Sequence, residues 1–183
     1  MLRVAEARRL GFHPELLRRA VAAGDFVKVG RGVYGPADAE PTEHHALAVA
    51  AKRVPRGVVC LLSALRFHGL GTQDPTEVWM AVGPGDRMPV VRRPRVRAVR
   101  FGEAAFHQGV EEHEVEGVAV RVYGAAKTAV DCLRLKDEVG VDAAVEALRD
   151  GLGRRVFTRD AVWRQADALG CLPLVRPYLE ALS

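Results

Sequence analysis

The sequence predicts an α+β fold on three observations: capped helical periodicity at both ends, strand-like alternation in the middle, and a glycine-punctuated cationic hairpin pattern near residue 30. A length of 183 residues admits one module or a small pair of modules and excludes a large multi-domain enzyme. With 49% apolar and 27% charged residues the chain has enough material for a core and is not a disordered segment. Aromatic residues make up only 6%, so the core is built from Leu, Val and Ala, and no exposed platform for stacking bases is indicated.

Residues 3–11 read as a short helix with Val4, Ala7 and Leu10 on one side and Gly11 as its stop. Phe12 and His13 form a tight turn. Pro14 suits the first position of a second helix, which runs to about Gly24. Its Leu16, Leu17, Ala20 and Val21 are expected to face inward, leaving Glu15, Arg18, Arg19 and Ala22 outside. Asp25 to Val29 reads as a strand, Gly30-Arg31-Gly32 as a turn and Val33-Tyr34 as a returning strand. Helix, turn, helix and basic hairpin in that order describe a winged helix-turn-helix, whose second helix enters the major groove of DNA. Candidate DNA contacts are Arg8, Arg9, His13, Arg18, Arg19, Lys28 and Arg31, with Arg18 and Arg19 facing the groove. Winged helix modules normally carry one more helix in front, and this one is expected to lack that first helix. The helix near residues 42–54, a partner, or a segment ahead of the start would have to complete its core.

Pro36, Asp38 and Pro41 mark a linker between a DNA-binding module at residues 1–36 and an α+β domain at residues 42–183. Thr42 with Glu43 opens a helix to Val54, and a further helical segment centres on Ser63-Ala64-Leu65, read as close-packing core. Residues 76–82, 95–101, 112–116 and 118–123 are strand-like, the last two paired through Gly117, giving an antiparallel or mixed sheet. C-terminal helices are expected at 125–135, 141–152, 158–169 and 172–182.

Charge is segregated along the chain. Residues 86–100 hold six Arg and one Asp, whereas residues 101–120 hold five Glu and no Lys or Arg. Folding could bring these blocks together, or leave a basic surface for a polyanion beside an acidic strip for a protein. Arg92, Arg93, Arg95, Arg97 and Arg100 are therefore candidates for extending a DNA footprint, for touching a partner, or for balancing the glutamates.

Across Glu6-Ala7-Arg8-Arg9-Leu10-Gly11, Leu16-Leu17-Arg18-Arg19-Ala20-Val21 and Gly32-Val33-Tyr34 the chain resembles the AbiEi antitoxins of bacterial AbiE-type (type IV) toxin-antitoxin systems. The likeness continues through Arg53 to Leu65, His68-Gly69-Leu70, Gly109-Val110-Glu111 and Ala126-Lys127-Thr128-Ala129-Val130-Asp131. It implies a winged helix that represses its own operon by binding double-stranded operator DNA, and a second domain that neutralises a cognate nucleotidyltransferase-like toxin. Palindromic operators would imply a dimer on DNA. The competing reading is a plain transcriptional regulator whose second domain senses a ligand or oligomerises.

No catalytic residue, metal site or cofactor is expected. His44 and His45 with Glu43 lack a second pair at ligand spacing. Cys60, Cys132 and Cys171 are widely spaced among apolar neighbours and read as buried free thiols. Asp74 and Glu77 could suggest a nuclease, but Trp79 stands where a lysine would have to stabilise the scissile phosphate. Gly83-Pro84-Gly85-Asp86 lacks a phosphate-loop ending and reads as a turn. Without a membrane span or secretory leader, the expected location is the cytoplasm.

Overall fold

A computed structural model describes residues 1–182, and these form a mixed α+β fold with a three-stranded and a five-stranded sheet. The chain opens with β1 (Leu2–Arg3), α1 (Val4–Arg9), α2 (Pro14–Ala23), β2 (Phe26–Gly30) and β3 (Val33–Pro36). The β2–β3 hairpin turns through Arg31 and Gly32, where Gly32 takes φ +72°, a region closed to most side chains. Arg3, expected to start a helix, instead joins Leu2 in pairing antiparallel with Val33 and Tyr34 as a third strand. The helix therefore starts at Val4, with the Arg3 N–H donating to Glu6 Oε2 at 2.9 Å. α2 begins at Pro14, where the preceding His13 accepts the Glu15 N–H, and it ends at Gly24 with φ +86°.

The expected inward face of α2 is a point of correction. No residue of α2 is buried: Leu16 is 50% and Val21 36% exposed, and Leu10 beside them is 67% exposed. Its main packing partners are α1 and β2, so its apolar stripe exists but has too little structure over it.

The second sheet has the order β6-β5-β4-β8-β7 and is flanked by helices on both faces. Its elements are α3 (His45–Arg53), β4 (Val58–Val59), α4 (Leu61–Phe67), β5 (Val78–Val82), β6 (Val96–Arg100), α5 (Glu103–His107), β7 (Val110–Val115) and β8 (Val118–Tyr123). They are followed by α6 (Ala125–Arg134), α7 (Lys136–Val139), α8 (Val141–Gly153), α9 (Arg159–Ala168) and α10 (Leu172–Ala181). β4–β5 and β7–β8 are antiparallel, while β5–β6 and β4–β8 are parallel, so the sheet is mixed. Alternation along the strands divides the core: Val58, Trp79 and Ala81 join the cluster under α4, α6, α8, α9 and α10, whereas Val59, Met80 and Val82 join the one under α3. α3 starts three residues later than expected, because Thr42 bonds Glu116 through both its N–H and its hydroxyl. Ser63 is more than close-packing core, since its hydroxyl accepts the Trp79 N–H at 2.9 Å and ties α4 to β5.

α3 also packs against the first sheet. Val49 lies 3.2 Å from where a Cβ on Gly30 would sit, so any side chain there would require Val49 to give by a few tenths of an ångström. Lys52 holds the Glu6 carboxylate at 2.9 Å, both side chains being largely shielded. Burial pushes the Glu6 carboxyl up, but the Arg3 N–H and Lys52 more than offset it and hold it below its ordinary value of 4.5.

Two predictions follow from this packing. A Cβ at Gly151 of α8 would run into the Phe157 ring, whereas one at Gly153 would meet nothing. Gly151→Ala should therefore cost about 1–3 kcal/mol by overpacking, and Gly153→Ala should gain roughly half a kcal/mol from helix propensity, read as opposite shifts in thermal midpoint. Because the Glu6 pKa is lowered on folding, its stabilising contribution is present above the ordinary carboxylate value and is lost as pH falls through the folded value. Urea unfolding should thus show Glu6→Gln less stable than the parent near neutrality, with the gap closing as the pH falls below the ordinary carboxylate value.

Candidate nucleic-acid interface

Arg18 and Arg19 stand on the exposed side of α2. Arg18, with 79% of its side chain exposed, touches Glu15 at 3.2 Å, an exposed contact of little energetic weight. Arg19 has no ion pair among the described residues. Arg8 and Arg9 occupy the last turn of α1, where the helix dipole favours cations. Arg8, Phe12, His13, Glu15 and Arg18 line a shallow concavity of about 630 Å³ at the start of α2. His13 Nδ1 accepts the Glu15 N–H at 3.4 Å, which leaves Nε2 as the position for the ring proton and as an outward donor.

Lys28 and Arg31 of the hairpin line an open cleft of about 1020 Å³, across which stand Arg53 at the end of α3 and Arg92 and Arg93 from the β5–β6 connection. The remaining lining is Val29, Gly30 and Val90, with no acidic and no aromatic side chain. None of these five cations has an ion pair among the described residues. Arg53 is the one member that the sequence reading missed. Its only signal was a basic last turn in the predicted helix at 42–54, and nothing in the sequence places that turn beside the hairpin.

Arg95, Arg97 and Arg100 of the block are engaged elsewhere. Arg95 pairs with Glu77 at 3.1 Å, Arg97 pairs with Glu138 at 2.6 Å and stacks 4.1 Å over Trp79, and Arg100 donates to the carbonyls of Gly83, Pro84 and Asp86. The basic and glutamate-rich blocks do not neutralise one another, because β6 and β7 form opposite edges of the sheet. On the β7 side, Glu116 bonds His45 at 2.9 Å, and His113 lies 3.3 Å from Glu111.

Residues weighed for chemistry are tied into the scaffold. Asp74 pairs with Arg66, and Glu77 with Arg95. Cys60 and Cys132 are buried, and burial pushes both thiols up, away from the reactive thiolate form; Cys171 is half-buried. His44 packs on Phe67 at 4.9 Å. Among the described residues no group of three or more His, Cys, Asp or Glu could hold a metal ion, and no helix is long and apolar enough to cross a membrane. The sequence reading also missed a fully buried ion pair, Lys127 with Asp131 one helical turn on, which Arg134 joins at 2.7 Å and over which the Tyr123 ring lies 4.1 Å from the ammonium. Burial drives both members toward neutrality, lowering the lysine and raising the aspartate. The signal was an oppositely charged pair at i and i+4 in an otherwise apolar helix.

None of the curated proteins matches the chain. Among solved structures, the crystal structure of the RV2827C protein from Mycobacterium tuberculosis is similar with a TM-score of 0.57 and 15% identity, over 97% of this chain and 72% of that one. A likeness at that identity speaks for the fold alone. The family model described as "Transcriptional regulator, AbiEi antitoxin" matches residues 1–37, the stretch that carries α1, α2 and the hairpin. The likeness to that family of transcriptional regulators is thus carried by the first 37 residues of the chain.

Proposed function

We propose that the chain is an autoregulatory antitoxin of the AbiEi type. Its helix-turn-helix and hairpin dock on double-stranded operator DNA of its own operon as a winged helix, and residues 42–183 neutralise a cognate nucleotidyltransferase-like toxin. It acts in the cytoplasm by occupancy rather than by catalysis, with two protomers on a palindromic site. The observation that carries the DNA arm is the exposed cation set of Arg18, Arg19, Lys28 and Arg31, which has no counter-ion within the fold beyond the surface contact to Glu15. Arg95 and Arg97, by contrast, are paired within the fold. The occupancy reading is supported by the pairing of Asp74 with Arg66 and of Glu77 with Arg95, which engages the two acids weighed for cleavage. The toxin arm rests on the family likeness of the first 37 residues and on the motifs of the second domain.

Fluorescence anisotropy on the DNA upstream of the reading frame tests the first arm. Four phosphate contacts from α2 and the hairpin require a log–log salt slope of at least roughly −3 to −4 per protomer. Arg18→Ala with Arg19→Ala should weaken binding several-fold or more, and an affinity indifferent to salt would defeat the reading. Co-expression with the downstream gene product, scored by growth rescue and co-purification, tests the second arm. Binding to DNA without rescue would leave a plain transcriptional regulator.

A further inference from the structure

We propose that the cleft between the hairpin and the second domain seats the phosphate backbone of the operator duplex beyond the base pairs that α2 reads. Arg53, Arg92 and Arg93 then share the DNA footprint with Lys28 and Arg31. This inference rests on the reading of α2 and the hairpin as a duplex-docking unit. The five cations come from positions distant in sequence, on a hairpin, a helix end and a strand connection, yet they border one open space. Like charges gathered without an intervening acid repel one another, so the arrangement is unfavourable until a polyanion fills it. By contrast, Arg95, Arg97 and Arg100, only a few residues further along, are each satisfied by the protein itself. The contrast divides the five arginines from Arg92 to Arg100 into three that serve the fold and two that face the cleft.

The lining also selects among anions. With Val29, Gly30 and Val90 as its uncharged surface, the cleft has no ring on which a splayed base could stack, which disfavours single-stranded nucleic acid. An open space of about 1020 Å³ bordered by five cations suits a run of phosphates better than one compact anion. The spacing across the cleft is set by packing: β2 lies against Val49 at Gly30, and the Arg93 carbonyl lies 3.9 Å from the same position. Hairpin and arginines therefore meet a duplex as one preformed surface.

Phosphate contacts carry no sequence information, and this distinguishes the cleft from α2 experimentally. Anisotropy with the full chain would compare an operator duplex of about 30 base pairs, a scrambled duplex of equal length and a single-stranded RNA, with thermal midpoints confirming that each variant is folded. For Arg92→Gln with Arg93→Gln the expected result is a several-fold loss on both duplexes, an unchanged operator-to-scrambled ratio, and a salt slope shallower by roughly 2. Arg92→Lys with Arg93→Lys should restore most of the affinity, since a point charge suffices for phosphate. Arg18→Ala, in contrast, should lower the operator-to-scrambled ratio. Unchanged duplex affinity and slope in the Gln variant, or a loss confined to RNA, would overturn the cleft proposal and leave the repressor reading standing. Failure of the parent protein to bind either duplex would overturn both.

Discussion

The two-sided burial of α3 is the constraint on which the arrangement of the molecule depends. One side of this nine-residue helix covers the five-stranded sheet through Leu47, Ala48, Ala50 and, just beyond its end, Val54. The other side meets the first sheet, where Val49 packs on Gly30 and Lys52 holds Glu6. Burying Leu47, Val49 and Val54 is worth about 1.5–3 kcal/mol each, and the alanines between them contribute mainly by letting backbones approach. A helix shared in this way couples the hairpin to the second domain without a long linker interface. The cleft cations keep their mutual spacing because the elements that carry them touch through α3 or beside it.

The fold was legible where periodicity had length to express itself. The strands near 78–82, 96–100 and 118–123 and the helices from 125 onward lie within a few residues of their expected bounds. What escaped were elements too short to show a period, among them β1, β4, α5 and α7. Two residues of strand exist only because a partner strand offers them hydrogen bonds, and that is a tertiary fact. The stripe on α2 shows the complementary limit. Its pattern was read correctly as amphipathic, but a pattern specifies a face and not what covers it, and Leu16 and Val21 remain substantially exposed.

The candidate site was half legible for a related reason. Cations at 18, 19, 28 and 31 follow from helix and hairpin geometry within 20 residues of chain, so local rules suffice. The Arg92–Arg100 block could not be apportioned from sequence, because the division depends on what lies opposite each residue. Trp79 and Glu138 capture Arg97, Glu77 captures Arg95, and a turn of carbonyls captures Arg100, while Arg92 and Arg93 sit ahead of β6 where no acid reaches them. Arg53 required knowledge of where α3 ends in space. The Lys127–Asp131 pair is different again: its spacing was visible, but its complete burial depends on four helices and a strand closing around it. Removing Asp131 would strand the Lys127 ammonium in a dry interior, so the pair belongs to the scaffold rather than to a surface site.

The same helix also organises the charge of the molecule along its axis. At the N-terminus of α3, Glu116 bonds Thr42 and His45, placing a carboxylate at the positive end of the helix dipole. At the C-terminus Lys52 and Arg53 stand at the negative end, and Arg53 faces the cleft. Each charge is thus favoured by the helix and kept from the other by its length, about 13 Å for nine residues. That distance exceeds the Debye length of roughly 8 Å at physiological ionic strength. An anionic ligand in the cleft would therefore feel its five cations at close range and the glutamates of β7 only through screening solvent. A chain with a net charge of only +4 can in this way present a basic face at the cleft, because the glutamates of β7 are held at the sheet edge opposite β6.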